Sequence, residues 1–328
     1  MRNTMKKKII LAGGTGLIGR LLATHFNNRQ YEVVVLTRCS SSEMNGIRFN
    51  HWDPEAPTDL HKIIDGAHAL IGLNGASVDS RYTKARKWEI IHSRIAPTMA
   101  ISDAIRKCTA PPLQWLQLST ATIYRHAEDR PMDQFTGDIG SGFSVEVART
   151  WEAVAQSAAE ELPATRLVLL RSAMVLSPLG GVLPRLAQLA RLGMGGRNGS
   201  GEQFVSWIHG KDLVRAVQHI MDAPAAEGVY DLAAPEPVRD RVLMERLRAQ
   251  LGVPIHFAKP KWMLEIGAFF MRTETELILK SRRVVPTRLL KEGFQFRYPG
   301  ITSALVDLMG RRMPVTTSAG MTTMGATS

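Results

Sequence analysis

Cysteine is nearly missing from this chain: Cys39 and Cys108 are the only two in 328 residues, and they have no metal-like spacing. That excludes a disulfide scaffold and a thiolate metal centre, and it fits a reducing compartment. Long apolar runs are missing too. No stretch approaches the ~18 uninterrupted apolar residues of a membrane span. The N-terminal Met1-Arg2-Asn3-Thr4-Met5-Lys6-Lys7-Lys8 imitates the basic head of a signal peptide, but Gly13, Gly14 and Gly16 break the apolar run behind it. A cytoplasmic protein without membrane contact is expected. Acidic residues are outnumbered 30 to 41 by lysine and arginine, giving a formal net charge of +11, and aromatic residues make up only 6%. The basic clusters, at 6–8, 84–87 and 280–283, are small and scattered, with few aromatics between them. A nucleic-acid groove is therefore not expected; the charge serves as a general attraction for anionic small ligands.

What is present is more specific. Ile9-Ile10-Leu11-Ala12 reads as a buried strand, Gly13-Gly14-Thr15-Gly16-Leu17-Ile18-Gly19 follows it, and Arg20 to Phe26 reads as a helix. Strand, glycine turn and helix together are the context of a dinucleotide fingerprint. Gly13 permits the tight turn, Gly16 lets backbone approach a pyrophosphate, and Gly19 permits close helix–strand packing. The phosphates would lie at the positive end of the helix, beside Thr15, Leu17 and Ile18.

The next strand, Glu32 to Thr37, ends in Arg38, with no acid before Glu43. An acid at this point would bind the ribose 2′-hydroxyl of NAD, whereas an arginine accommodates the 2′-phosphate of NADP. NADP(H) is thus expected in preference to NAD(H). Asp65 to Ala76 reads as a strand running into the small-residue turn Asn74-Gly75-Ala76, where backbone can lie against the cofactor. A helix from Lys84 to Lys107 follows, then the strand Leu113 to Leu118, ending in Ser119-Thr120-Ala121-Thr122-Ile123-Tyr124. Arg81, Lys87 and Arg94 can hold an anionic small-molecule substrate or form a solvated helix face. Gly180 to Gly201 is rich in glycine and reads as a substrate-side loop. Val242 to Leu251 reads as a helix stopped by Gly252, Trp262 to Met271 as a short apolar helix, and 311–328 as a disordered tail.

The G-x-x-G-x-x-G spacing resembles the extended short-chain dehydrogenase/reductases, and a set of further motifs resembles one atypical branch of them. These are Ser93-Arg94-Ile95 with Thr98, Ser119 to Tyr124, Trp151-Glu152, Leu170-Arg171-Ser172, Gly180-Gly181, Ser206-Trp207-Ile208-His209 with Asp212, and Lys280 to Phe296. That branch is the epimerase-like group with the C-terminal domain of unknown function DUF1731. The resemblance implies an α/β fold: a doubly wound parallel sheet (Rossmann fold, extended type) with a smaller C-terminal α/β region on the substrate side. It places a cofactor domain at 6–235 and the DUF1731-like region at 236–310. It also implies a small-molecule substrate such as a nucleotide sugar and, since extended reductases are often dimers, a homodimer.

In such reductases a Ser or Thr after the strand matching Leu113 to Leu118 contacts the reacting group, which points to Ser119 and Thr120. The usual partner is a Tyr-x-x-x-Lys pair, in which the lysine charge lowers the phenol pKa. With Glu152 setting the register, Ser144 and Ala148 stand in its two places, and no Tyr-x-x-x-Lys occurs anywhere in the chain. Tyr124 is then the nearest phenol. Trp207 and His209 belong to a stretch that closes the substrate pocket in extended reductases; His209 reads either as a proton donor or as a structural residue beside a cap at Asp212. Two functions remain open: an NADP-dependent oxidoreductase or epimerase-like protein with a non-standard acid/base set, and an NADP-binding sensor.

Overall fold

The computed structural model describes residues 6–29, 31–56, 59–78, 80–254 and 280–310. The helix expected over Trp262 to Met271 and the tail at 311–328 lie outside the described residues. The chain begins β1 (Lys8–Ala12), α1 (Leu17–Asn27), β2 (Glu32–Thr37), β3 (Ser42–Met44) and β4 (Ile47–His51). It continues through α2 (Leu60–Ile64), β5 (Ala69–Gly72), α3 (Lys84–Arg106), β6 (Gln114–Thr120), α4 (Phe143–Glu160) and β7 (Arg166–Ser172). The second half holds β8 (Met174–Leu176), α5 (Val182–Leu189), β9 (Phe204–Val205), β10 (Trp207–His209), α6 (Gly210–Asp222) and β11 (Gly228–Leu232). Among the described residues, β12 (Val238–Arg239), α7 (Asp240–Leu251), α8 (Thr287–Lys291) and α9 (Ile301–Met309) follow.

The main sheet has the order β11-β7-β6-β5-β1-β2-β4-β3 and is parallel except at the β3 edge. Its central strands are continuous apolar runs because both faces are covered: Ile9, Ile10, Leu11 and Ala12 are all fully buried. Alternate residues feed two cores. Ile9, Leu11, Val33 and Val35 pack with α1 and α6, while Ile10, Val34, Leu36 and Leu70 pack with α2 and α3. Strand order reverses between β1 and β5, the switch point at which an open α/β sheet forms its binding crevice. A third core joins the C-terminal elements to this frame, with Leu243, Leu247, Ile301 and Leu305 packing on Leu176, Leu183 and Trp207.

One element adds to the expectations above and another departs from them. β3 and β4 form a hairpin across Asn45-Gly46, whose φ of 53° and 75° suit the two-residue turn. The glycine-rich stretch after Gly180 is not all loop: Val182–Leu189 is a helix, with Leu183 and Ala187 buried on its inner face. Among the described residues, no helix is long and apolar enough to cross a membrane.

Candidate functional site

The glycine loop sits at the switch point. Gly13 has a φ of 77°, and a Cβ on it would come within 3.0 Å of Asn74, so loop and neighbouring turn approach as closely as backbones allow. Gly19 packs directly on the Gly14 backbone, leaving no space for a Cβ. Its close contact is thus with the loop itself rather than with the strand. Gly16 differs: it is exposed, and a Cβ on it would meet no protein atom within 4 Å. It caps α1 with no side-chain hydrogen bond, so the first amides of the helix, from Leu17 onward, open onto the crevice. A cavity of about 320 Å³ lies there, lined by Gly13, Gly16, Leu17, Ile18, Leu73 and Leu118, with Met174 and Val175 of β8 opposite. The buried Oδ1 of Asn74 has no hydrogen-bond partner among the described residues. An open glycine and a helix start without a side-chain cap at this cavity, with the orphaned Asn74 carbonyl in the neighbouring turn, fit a dinucleotide. Arg38 is exposed just past the end of β2, the strand beside β1.

The turn Asn74-Gly75-Ala76 is held by α3. Ser93 Oγ accepts from the Ala76 amide at 2.8 Å, and Arg94 donates to the Ala76 carbonyl at 3.2 Å. Arg94 also donates to Ile90 O, and its guanidinium stands 5.1 Å from the Trp151 ring. Thr98 donates to the Arg94 carbonyl and accepts from Trp151 Nε1 at 3.1 Å. Ser93, Arg94, Thr98 and Trp151 are therefore one structural unit bracing the crevice, with no carboxylate on Arg94 among the described residues. Burial lowers the Arg94 pKa to about 10. Arg81 and Lys87, its companions in the expected anion site, are exposed.

The expected catalytic hydroxyls diverge. Thr120 is half-buried at the end of β6 and caps the short turn Ala121–Ile123 through Thr122 N. Ser119 points the other way and donates to Glu152 Oε1 at 2.5 Å. Arg171 grips the same carboxylate at 2.9 and 2.7 Å and donates to Tyr124 Oη at 2.9 Å. Tyr124 in turn donates to Asp231 at 3.0 Å. Tyr124 is thus 1% exposed and enclosed in a buried polar chain, Ser119–Glu152–Arg171–Tyr124–Asp231. Burial, and the Asp231 carboxylate beside it, push its phenol well above the ordinary tyrosine range. The expectation that Tyr124 faces substrate as a proton donor is corrected: it has no open face and positions Arg171 instead. Burial likewise raises Asp231 to about 7. Sequence reasoning missed Asp231 and the role of Arg171, although Leu170-Arg171-Ser172 marked the place.

Trp207 and His209 are corrected as well. Trp207 is fully buried, and its indole donates to Glu236 O at 3.0 Å. His209 is 2% exposed; its Nδ1 accepts from Lys211 N at 2.9 Å, capping α6, and its ring stacks on Tyr298 at 3.9 Å. Its Nε2 meets Asp307 at 3.1 Å, and burial lowers its pKa despite that carboxylate. Asp212 is not the cap; it is fully buried and accepts from Arg297 N and Tyr298 N. His209 and Asp212 fasten the C-terminal segment to α6, whereas Trp207 ties β10 to the stretch before β12.

A doubly wound sheet with a glycine-loop crevice at its switch point defines a dinucleotide-binding protein of the short-chain dehydrogenase/reductase class. The profile of the NAD dependent epimerase/dehydratase family matches residues 9–233, and that of the domain of unknown function DUF1731 matches residues 260–308. The chain belongs to the NAD dependent epimerase/dehydratase family. It is 30% identical over 302 residues to the human epimerase family protein SDR39U1, covering 92% of this chain and 99% of that one. A crystal structure of human SDR39U1 (isoform 2) with NADPH superposes with a TM-score of 0.79 at 28% identity, over 92% of this chain and 99% of the other. The nucleoside-diphosphate sugar epimerase from Corynebacterium glutamicum superposes at 0.74 with 27% identity, over 93% of this chain and 58% of the other.

Proposed function

We propose that the protein is an NADP(H)-dependent oxidoreductase or epimerase-like enzyme acting on a nucleotide sugar or related anionic small molecule. The observation that carries this reading is the crevice at the switch point, where the open Gly16 and the α1 amides face a cavity and Arg38 lies exposed past β2. In this reading Gly13, Thr15, Gly16, Leu17, Ile18 and Gly19 hold the pyrophosphate, Asn74, Gly75 and Ala76 flank the nicotinamide half, and Arg38 receives the 2′-phosphate through its planar fork. The bound cofactor supplies or accepts a hydride. Thr120 orients the reacting oxygen from the end of β6, Ser119 braces Glu152, and Arg94 draws in negative charge. The NADPH in human SDR39U1 and the nucleoside-diphosphate sugar activity named for the Corynebacterium protein support the cofactor and substrate class. A homodimer and a cytoplasmic location belong to the same proposal.

Ser144 and Ala148, buried where the usual phenol and lysine stand, favour a second reading, a cofactor-binding sensor. Equilibrium titration with NADPH and NADH, followed by a turnover screen over nucleotide sugars, separates the two. NADPH binding with turnover supports the enzyme, NADPH binding without turnover of any sugar supports the sensor, and no binding of either nucleotide overturns both.

A further inference from the structure

The cavity beside the glycine loop has two walls from distant parts of the chain. Leu17, Ile18 and Gly19 at the start of α1 form one, and Val175 of β8, with Gly181 and Val182 at the start of α5, forms part of the other. The turn 177–181, which joins β8 to α5, lies directly on the first turn of α1. Gly180 and Gly181 have φ of 151° and 76°, conformations that suit glycine, and a Cβ on Gly181 would fall 2.9 Å from Leu17 Cδ2. Within the turn, the buried Ser177 accepts from the Leu179 amide at 3.2 Å and bridges to Gly180. The tip is in solvent, with Leu179 65% exposed. One side chain fastens it. Arg20, the residue after Gly19, donates to the Leu179 carbonyl at 3.3 Å, a contact between positions 159 residues apart. Among the described residues no carboxylate pairs with Arg20, so no ion pair draws it toward the turn.

We propose that Arg20 and the turn 177–181 form a clasp across the pyrophosphate end of the nicotinamide cofactor, and that this clasp opens each time the cofactor enters or leaves. The proposal rests on the reading of the crevice as a nicotinamide dinucleotide site. The two glycines supply the hinge. They let the turn lift from Leu17 without dragging a side chain through the cavity, while the Ser177 contacts keep the turn itself intact. Arg20 supplies the latch. Its bond is single and exposed, enough to bias the turn shut and weak enough to break at each passage; an ordinary hydrogen bond shifts such an equilibrium by a factor of about two to ten. A latch that is shut both before and after passage raises the entry and exit barriers equally and leaves the two end states alone. Arg20 thus sets how fast the cofactor exchanges rather than how tightly it binds. Opening steps of this kind, rather than chemistry, limit turnover in many enzymes. The latch is also distinct from Arg38, which lies past β2, so it acts alike on cofactors with and without a 2′-phosphate.

The test is stopped-flow fluorescence of NADPH and NADH on the full chain. Association rates come from the dependence on nucleotide concentration, and dissociation rates from displacement by an excess of the oxidised form. In Arg20→Met both rates should rise about two- to tenfold for both nucleotides, the factor of one hydrogen bond, while each Kd stays near that of wild type. Arg20 is exposed, so the unliganded unfolding midpoint should barely move. Unchanged rates in both directions would overturn the clasp. Faster dissociation with a matching loss of affinity and an unmoved association rate would overturn it too, by making Arg20 a ligand of the cofactor. An effect on NADPH alone would do the same, by placing Arg20 at the 2′-phosphate. Thermal stabilisation by the two nucleotides, measured on the same proteins, keeps the claims apart. A wild type that neither nucleotide stabilises defeats the cofactor reading, whereas one that binds them but exchanges them no more slowly than Arg20→Met defeats only this proposal.

Discussion

Replacing Gly16 by valine separates folding from binding at the crevice. Gly16 has φ −70° and ψ 178°, an extended conformation open to any residue, and an added Cβ meets no protein atom within 4 Å. The folded state should therefore lose no more than about 1 kcal/mol, the range for an unfavourable residue at a helix cap. The new side chain, however, occupies the space in which a pyrophosphate would reach the α1 amides. A ligand that binds only the folded state stabilises it by RT ln(1 + [L]/Kd), about 2.7 kcal/mol at a hundredfold excess over Kd. The account predicts that wild type gains this increment with NADPH and that Gly16→Val gains essentially none, while the two unliganded midpoints nearly coincide. Gly19→Ala should do the reverse damage. Its methyl group has no room against the Gly14 backbone, so the unliganded protein loses the ~1–3 kcal/mol typical of overpacking. A Gly16→Val protein that NADPH still stabilises in full would refute the reasoning.

The buried polar chain carries further expectations. Glu152→Ala strips the carboxylate from Arg171, both less than 10% exposed, and should cost about 3–5 kcal/mol in denaturant unfolding because it leaves a buried charge unpaired; a loss under about 1 kcal/mol would show that the pair is not desolvated. Burial raises Asp231 to about 7, whereas its unfolded value is about 3.9. The native state therefore holds a proton that the unfolded chain releases, so this contribution is complete below about pH 4 and is lost as pH rises to about 7, a difference of roughly 4 kcal/mol. Asp231→Asn should flatten the fall in stability over that window, and an unchanged slope in unfolding midpoints against pH would contradict the assignment.

The parallel frame was legible because it is buried on both sides. Lys8–Ala12, Glu32–Thr37 and Arg166–Ser172 are short apolar runs between turns, and the glycine loop announces the first crossover. The β3–β4 hairpin was equally legible from Asn45-Gly46 but was overshadowed by the apolar strands around it. Glycine content hid α5, although Leu183 and Ala187 follow the helical period inside it. The buried polar chain was not readable in one dimension. Tyr124 and Asp231 are 107 residues apart and meet only once β6, β7 and β11 are ordered, so a tyrosine that the strand-end position made a catalytic candidate is turned inward by partners far along the chain. His209 shows the same effect, since its stacking partner Tyr298 and its contact Asp307 come from the last described helix and its approach.

The most direct test of the central claim is a parallel thermal titration of wild type and Arg38→Asp with NADPH, NADP, NADH and NAD. The account predicts that wild type is stabilised strongly by the two phosphorylated nucleotides and weakly by the others, and that Arg38→Asp, which repels a 2′-phosphate while offering a partner to a ribose hydroxyl, reverses the order. Equal shifts by all four nucleotides in both proteins would remove Arg38 from cofactor selection. No shift with any nucleotide in wild type would contradict the account itself.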